Sequence, residues 1–247
     1  MNVSLYEAAS AMEANARWQE TIAENMAASS IPGHKKMEVS FRTVEAGFIE
    51  EADGTLQPVT QTVVSKATNF SQGNLKSTGV KTDMALAGPG FFTVQLPDGT
   101  QAYTRDGEFS MDPFGQLITK QGYPVMGNGG PIQMDLSRGE PMAVSPDGDI
   151  SQGRDQIGQL QVVEFADPRL LSPIQNGYFL ADRPGVNDQP AEETTVRQGF
   201  LETSNTNPAT EMTQLVTALR AFEMNQRIIQ VQDERIAQLI RELGTPS

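Results

Sequence analysis

The chain has 247 residues, enough for one large domain or two smaller ones, and its lack of cysteine excludes disulfides, thiolate nucleophiles and zinc–thiolate sites. Its 31 acidic and 18 basic residues give a net charge of -13, which argues against nucleic-acid binding and against a polybasic membrane anchor. The first residues lack a basic segment followed by an apolar run, and no apolar run reaches the roughly 18 residues of a membrane span, so we expect neither a cleavable signal peptide nor membrane insertion.

Residues 1–30 are predicted to form an amphipathic helix that takes part in assembly. Apolar residues recur there at steps of three and four, and the opposite face is mostly charged. Pro32 and Gly33 end the pattern because proline disfavours helix at the preceding residue and glycine opens a turn. We therefore predict a hinge at these two residues, within a hinge and connector that covers residues 31–69.

Residues 70–200 are predicted to form an all-β domain of short strands and hairpins. The run "FFTVQL", the turn "PDGT" and the run "QAYTR" indicate a hairpin with Asp98 and Gly99 in its turn. The stretch "GPGFF", with Gly88 and Gly90, precedes a strand rather than a helix, so it is interpreted as a tight turn and not as a phosphate-binding loop.

Residues 201–247 are predicted to form a helix with a heptad pattern. Asn207 is its expected N-cap, Pro208 its first residue, and Glu211 an acidic residue in its first turn. The seam residues follow at steps of three and four: Met212, Leu215, Leu219, Phe222, Gln226, Ile229, Asp233, Ile236, Ile240 and Leu243. The predicted fold class is α+β, in which N- and C-terminal helices form a coiled-coil segment and flank the central β-domain.

Both terminal helices carry apolar faces that must pack against something, because most helical stability comes from burying such a face. The sequence leaves two possibilities open, an antiparallel pair within one chain and packing between copies. Long stripes with polar residues in seam positions favour assembly. The predicted assembly residues are Leu5, Met12, Ile22, Met26, Met212, Leu215, Leu219, Phe222, Ile229, Ile236 and Ile240.

Several segments, taken in order, resemble the signatures of flagellar basal-body rod and hook proteins. The N-terminal family pattern is roughly A-N-N-L-A-N-x-x-T-P-G-[FY]-K, and Asn25, Pro32, Gly33 and Lys35 match it. The departures from it are Glu24, Ala28, Ile31 and His34. Residues 70–127, from "FSQGNLKSTG" to "QGYPVMG", match the central signature, and residues 158–171 and 199–234 resemble later blocks. The resemblance covers nearly the whole chain.

The resemblance implies an axial protein that stacks into a hollow tube, with its terminal helices lining the core. It implies export by the flagellar type III apparatus without cleavage, and partners that are copies of itself and other rod or hook subunits. The implied location is the flagellar basal body, and the implied function is a rod subunit of the shaft that transmits torque from motor to hook. The connector at residues 37–69 is short, which favours a rod subunit over a hook subunit and the proximal over the distal rod. A hook-type axial subunit is the alternative.

A different class of function, an acidic carboxylate-dependent hydrolase, would use Asp106, Glu108 and Asp112. No nucleophile motif accompanies these residues, so an enzyme is not expected. His34 is the only histidine and has no partners at metal-ligand spacing. In the stretch "DGDISQGRD", the glycine and the final glutamate are not at the positions that a calcium loop requires, so we interpret it as a hairpin turn. No metal or cofactor is expected.

Overall fold

A computed structural model describes residues 3–50 and 56–244. The chain divides into two compact units. The first, here called the helical unit, comprises Met1–Ala27, Met37–Ala67 and Asn207–Ser247, and the second, the β unit, comprises Ala28–Lys36 and Thr68–Thr206. The fold contains both helices and strands, which confirms the α+β prediction at that level.

The elements in chain order are α1 Val3–Ala27, β1 Met37–Glu50, β2 Leu56–Thr68, β3 Leu75–Ser77, β4 Met84–Ala87, β5 Phe91–Gln95, β6 Gln101–Thr104, β7 Phe109–Met111, β8 Leu117–Thr119, β9 Met126–Gly127, β10 Gly130–Pro131, β11 Met142–Val144, β12 Asp149–Gln152, β13 Asp155–Gln159, β14 Val162–Phe165, β15 Ser172–Pro173, β16 Tyr178–Leu180, β17 Asp188–Pro190, β18 Thr195–Gln198, β19 Phe200–Glu202 and α2 Pro208–Gly244. Short 3₁₀ turns occur at Leu136–Arg138, Pro168–Leu170 and Gln175–Gly177.

Within the helical unit, α1 and α2 pack against each other in opposite directions. The Gln19 side chain donates to the Ala218 carbonyl at 3.3 Å, and six residues further along α1 the Asn25 amide lies 3.5 Å from the Glu211 carboxylate. Ile22 and Ala218 are almost completely buried at this contact, at 1% and 0% exposure. Since α2 has 37 residues and α1 has 25, part of α2 extends beyond the paired region.

The segment that the sequence interpretation treats only as a connector contains two long strands. β1 and β2, of 14 and 13 residues, pair with each other as a two-stranded ribbon. Their sequences are rich in β-branched residues, which favour strands. The ribbon contacts α1 through both aromatic and polar groups. Trp18 of α1 packs edge to face on Phe41 of β1, with 5.6 Å between the ring centres. The Thr60 hydroxyl donates to the Glu7 carboxylate at 2.6 Å, and the Thr62 amide donates to the Ser10 hydroxyl at 2.9 Å.

The β unit is built around an antiparallel six-stranded sheet in the order β15-β16-β6-β5-β14-β17, with smaller sheets beside it. β5 and β6 form the predicted hairpin, and its turn is closed by the Leu96 amide donating to the Thr100 carbonyl at 2.9 Å. Gly99 takes a φ of +86° in this turn, a conformation that glycine adopts without a steric cost. The hairpin prediction is confirmed.

Two apolar clusters fill the β unit. One buries aliphatic and aromatic side chains from β4, β5, β7 and β8, and the other is an aromatic cluster around Phe91. In the second cluster Phe91 contacts Phe70, Phe165 and Phe179 in edge-to-face or tilted pairs, the geometry that aromatic rings prefer. This cluster supports the polar site described next.

Candidate functional site

The segment that follows α1 in the sequence folds as part of the β unit, and a buried ion pair fastens it there. Lys35 Nζ lies 2.6 Å from Glu202 Oε1, and both side chains are 1% exposed. Lys35 also donates to the Ser71 carbonyl at 2.9 Å. Of the two predicted hinge residues, Pro32 is half-buried and Gly33 is buried, and the Gly33 amide donates to the Glu202 carbonyl at 2.7 Å.

A second cation shares the same carboxylate. Arg105 Nη1 lies 3.5 Å from Glu202 Oε2, and its guanidinium stands 4.8 Å from the centre of the Phe91 ring. Glu202 Oε1 accepts a further hydrogen bond from the Gly73 amide at 2.7 Å. Burial lowers the pKa of Lys35 and of Arg105, and Glu202 opposes both shifts. One carboxylate therefore compensates two buried cations.

Asn205 holds the same segment in place through a second set of hydrogen bonds. Its Oδ1 accepts from the Lys36 amide at 2.7 Å, while its Nδ2 donates to the carbonyls of Asn69 and Ser71 at 2.8 and 3.0 Å. Each bond joins residues that are more than 100 positions apart in the sequence, as does the bond from Lys35 to Glu202. Sequence analysis missed these residues as a site, although Lys35 is one of the matches to the N-terminal family pattern.

In the helical unit, a buried asparagine joins the end of α1 to the start of β1. Asn25 accepts from the Met37 amide and donates to the Met37 carbonyl, both at 2.8 Å. Asn207 caps α2 by accepting from the Ala209 amide at 3.0 Å, which confirms the predicted N-cap. Glu211 is fully buried, and its carboxylate lies beside Asn25 instead of on the surface.

The predicted assembly residues divide by their exposure. Ile22 is buried, and the half-buried ones are Met12, Met26, Leu215, Phe222 and Ile229. The exposed ones are Met212, Leu219, Ile236 and Ile240, at 56%, 44%, 39% and 65%. The side chain of Leu5 lies outside the described residues. α2 thus has an uncovered apolar surface in a single chain, and the role of these residues in assembly stays a prediction.

Two of the three carboxylates that a hydrolase would use, Asp106 and Asp112, form hydrogen bonds that stabilise turns of the β unit. Asp112 accepts from the amides of Phe114 and Gln116, both at 2.8 Å, as the cap of the turn between β7 and β8. Asp106 accepts from the Glu108 amide at 2.9 Å, and burial is the main cause that raises its pKa to about 6. A cavity beside it is lined also by Lys120 and by part of the segment that follows α1.

Among the residues that the structure describes, no group of three histidine, aspartate or glutamate side chains could hold a metal ion. His34 is half-buried, and burial and then the neighbouring Lys35 lower its pKa. Asp147 lies in the turn between β11 and β12, and Asp149 and Asp155 are the first residues of β12 and β13, which form a hairpin, so this stretch belongs to hairpin turns as predicted. No helix within residues 3–50 and 56–244 is both long and apolar enough to span a bilayer.

We expect Asp106 to make the β unit more stable at pH 5 than at pH 7. Between its ordinary pKa near 4 and about 6, the folded state holds a proton that the unfolded state releases, so stability falls as the pH rises through this window. The groups that face Asp106 are Glu108, Asp83 and Lys120. Urea denaturation at both pH values measures the effect.

The matched variants for this measurement are Asp106→Asn and Asp147→Asn, which changes an exposed aspartate of the same unit. Asp106→Asn should reduce the difference between the two pH values, and Asp147→Asn should leave it as in the unaltered chain. A pH difference that survives in Asp106→Asn would show that another group causes it.

Two family models match the chain. Residues 85–152 match the D1 domain of the flagellar hook protein FlgE/F/G, and residues 197–242 match the C-terminal part of the flagellar basal body rod FlgEFG proteins. The first match covers the middle of the β unit, and the second covers β19 and most of α2. These matches define the class as flagellar axial proteins.

Relatives of nearly full length give the same result. The chain is 34% identical to the flagellar basal-body rod protein FlgG of Borreliella burgdorferi, over 94% of this chain and 96% of the relative. It is 31% identical to the rod protein FlgF of Caulobacter vibrioides, over 99% of both chains, and 33% identical to FlgF of Mesorhizobium japonicum, over 100% of both. The chain belongs to the flagellar basal-body rod protein family.

Proposed function

We propose that this chain is a structural subunit of the flagellar basal-body rod, the hollow shaft that transmits torque from motor to hook, and that it is not an enzyme. One observation supports assembly above the others: α2 presents large apolar side chains to solvent, including Met212 and Leu219 at 56% and 44% exposure. A heptad helix with an uncovered apolar face is suited to pack against helices of neighbouring subunits. The terminal helices form the coiled-coil core of the tube in this proposal.

The proposal includes the route and the partners. The N-terminal segment acts as an uncleaved export signal for the flagellar type III apparatus, and the chain assembles with copies of itself and with other rod and hook subunits. Its location is the basal body. Export in an unfolded state is compatible with a chain that has no cysteine and no disulfide to form.

Within the rod, we propose that the chain takes the place of the FlgF-named relatives. The alignment with the Mesorhizobium japonicum FlgF is 250 positions long and covers both chains completely. The alignment with the Borreliella burgdorferi FlgG is longer, at 257 positions, although it covers only 94% of this chain. The FlgG comparison therefore needs more insertions and deletions. The proximal position, inferred from the short connector, is part of the same proposal.

Leu219→Asp tests assembly through α2. The substitution places a charge on an exposed apolar residue, so we expect incorporation into basal bodies and motility to be lost while the β unit stays folded. Incorporation is measured by immunoblotting of purified basal bodies from a strain that lacks its own copy of the protein. Circular dichroism of the purified variant reports folding.

The control is Gln238→Asp, which adds the same charge at an exposed polar position of α2. This variant should swim normally. Full motility of Leu219→Asp would refute the role of this face, whereas a wild-type chain that never appears in basal bodies would refute the proposed function itself.

A further inference from the structure

α1 has an exposed row of alternating alanines and glutamates on the side turned away from Ile22 and α2, and one member, Glu13, borders a cavity beside residues 61–64 of the ribbon. The row consists of Ala9, Glu13, Ala16, Glu20 and Ala23, spaced four, three, four and three residues apart, and all five are exposed. This is the spacing of a coiled-coil seam, although alanine and glutamate give it no apolar stripe in the sequence. We call it the small row.

α2 has a row of alternating large apolar residues and arginines. Val216, Met224 and Val231 are 49%, 62% and 41% exposed, and Arg220 and Arg227 are exposed between them. Steps of three and four residues place all five on one face of the helix. We call it the large row.

The two rows cannot meet within one chain. α2 faces α1 with Ala218, and at 3.6 residues per turn the mean direction of the large row lies about 160° around the helix from Ala218. α1 faces α2 with Gln19, Ile22 and Asn25, which all lie outside the small row. Any contact between the rows must therefore join two chains.

The charges of the two rows are complementary. Glu13 and Glu20 are seven residues apart on the small row, and Arg220 and Arg227 are seven residues apart on the large row. Two helices that pack with this spacing can align both ion pairs at once, whichever direction they run. Within the described part of the chain, Glu20, Arg220 and Arg227 form no hydrogen bond or ion pair, and Glu13 pairs only with the exposed Arg17.

We propose that the small row of one copy packs against the large row of a second copy of this chain. The alanines leave room for the methionine and valine side chains, and each glutamate lies beside an arginine. Because two different faces meet, the contact is heterologous, so each bound copy presents a free row to the next and the assembly can extend beyond two copies. This inference rests on the proposed rod function and adds to it which faces join two copies.

Cysteine cross-linking tests the contact, and the absence of native cysteine makes the result unambiguous. One copy carries Ala16→Cys and a small tag, and another carries Met224→Cys and a larger tag, both expressed in a strain without its own copy of the protein. Mild oxidation of isolated basal bodies should give a disulfide-linked heterodimer of the two tagged chains. A chain with Thr100→Cys, an exposed site of the β unit, replaces Met224→Cys as the control and should give at least about ten-fold less.

Charge reversal gives an independent readout. Glu13→Arg with Glu20→Arg should reduce incorporation of the chain at least about ten-fold, as should Arg220→Glu with Arg227→Glu. The chain with all four changes should recover to within about two-fold of wild type, because reversed rows are again complementary. Recovery would not be expected if the charges served only the solubility of each helix.

The failure of this inference differs from the failure of the proposed function. Motile cells whose basal bodies contain both tagged chains but no heterodimer, or a four-fold variant no better than its parents, would overturn the contact and leave the rod subunit intact. Absence of the unaltered chain from basal bodies would overturn both.

Discussion

Glu202→Gln is expected to lower the free energy of unfolding of the β unit by about 3–5 kcal/mol, the usual cost of leaving a buried charge without its partner. Lys35 and Arg105 have side chains only 1% and 2% exposed, and Glu202 is the carboxylate that contacts both. Glutamine has nearly the same shape but no charge, so both buried cations would lose the carboxylate that they contact.

Urea denaturation followed by circular dichroism measures this loss, and amide hydrogen exchange locates it. The Gly73 amide donates to the Glu202 carboxylate, so it should exchange faster in the variant. The Gly33 amide donates to the backbone carbonyl of Glu202, so faster exchange there would show that the segment carrying Lys35 has loosened as well. Glu192→Gln, an exposed position of the same unit, is the control and should change stability by less than about 0.5 kcal/mol.

A second substitution separates charge from packing. Adding Lys35→Met to Glu202→Gln removes one of the two unpaired cations and should restore part of the lost stability, although Lys35→Met alone should be destabilising. Strictly additive losses would show that the two residues do not depend on each other. Equal effects of Glu202→Gln and Glu192→Gln would show that the cluster is effectively solvated.

Local features of the fold were predictable because their signals are local. Asn207 and Pro208 mark the start of α2, and Asp98 with Gly99 marks the β5–β6 turn, through interactions that span only a few residues. The ribbon of β1 and β2 was missed as structure. Apolar and polar side chains alternate in "MEVSFR" at the start of β1, but this pattern does not continue through the rest of β1 or into β2, and the two strands pair with each other in a two-stranded ribbon.

The polar site was not predictable for the opposite reason. Lys35 and Glu202 are 167 positions apart, and Asn25 and Glu211 are 186 positions apart, so only the folded chain brings them together. The heptad in α2 shows the same limit. Its period was clear, but the face that meets α1 includes Glu211 and Ala218, which an apolar seam leaves out. Periodicity defines rows on a helix but does not assign a neighbour to each row.

Gly33→Ala is expected to destabilise the β unit by more than the roughly 1–2 kcal/mol that a left-handed conformation costs an alanine. Gly33 has a φ of +67°, and a Cβ there would overlap the backbone of Arg105 and Asp106. Backbone atoms of a packed sheet region cannot move aside as a flexible side chain can. The segment carrying Lys35 would therefore have to shift, which weakens its ion pair with Glu202.

Gly99→Ala is the matched control for this substitution, because Gly99 also has a positive φ, +86°, but a Cβ there would meet nothing within 4 Å. It should show the conformational cost alone, and the difference between the two urea midpoints measures the overlap at Gly33. The comparison also tests the predicted hinge. A segment that bends freely at Pro32 and Gly33 would accommodate an alanine, and the two variants would then be equally stable. A much larger loss at Gly33 would mean that this segment is a fixed anchor of the β unit, and that any bending during assembly takes place elsewhere in the chain.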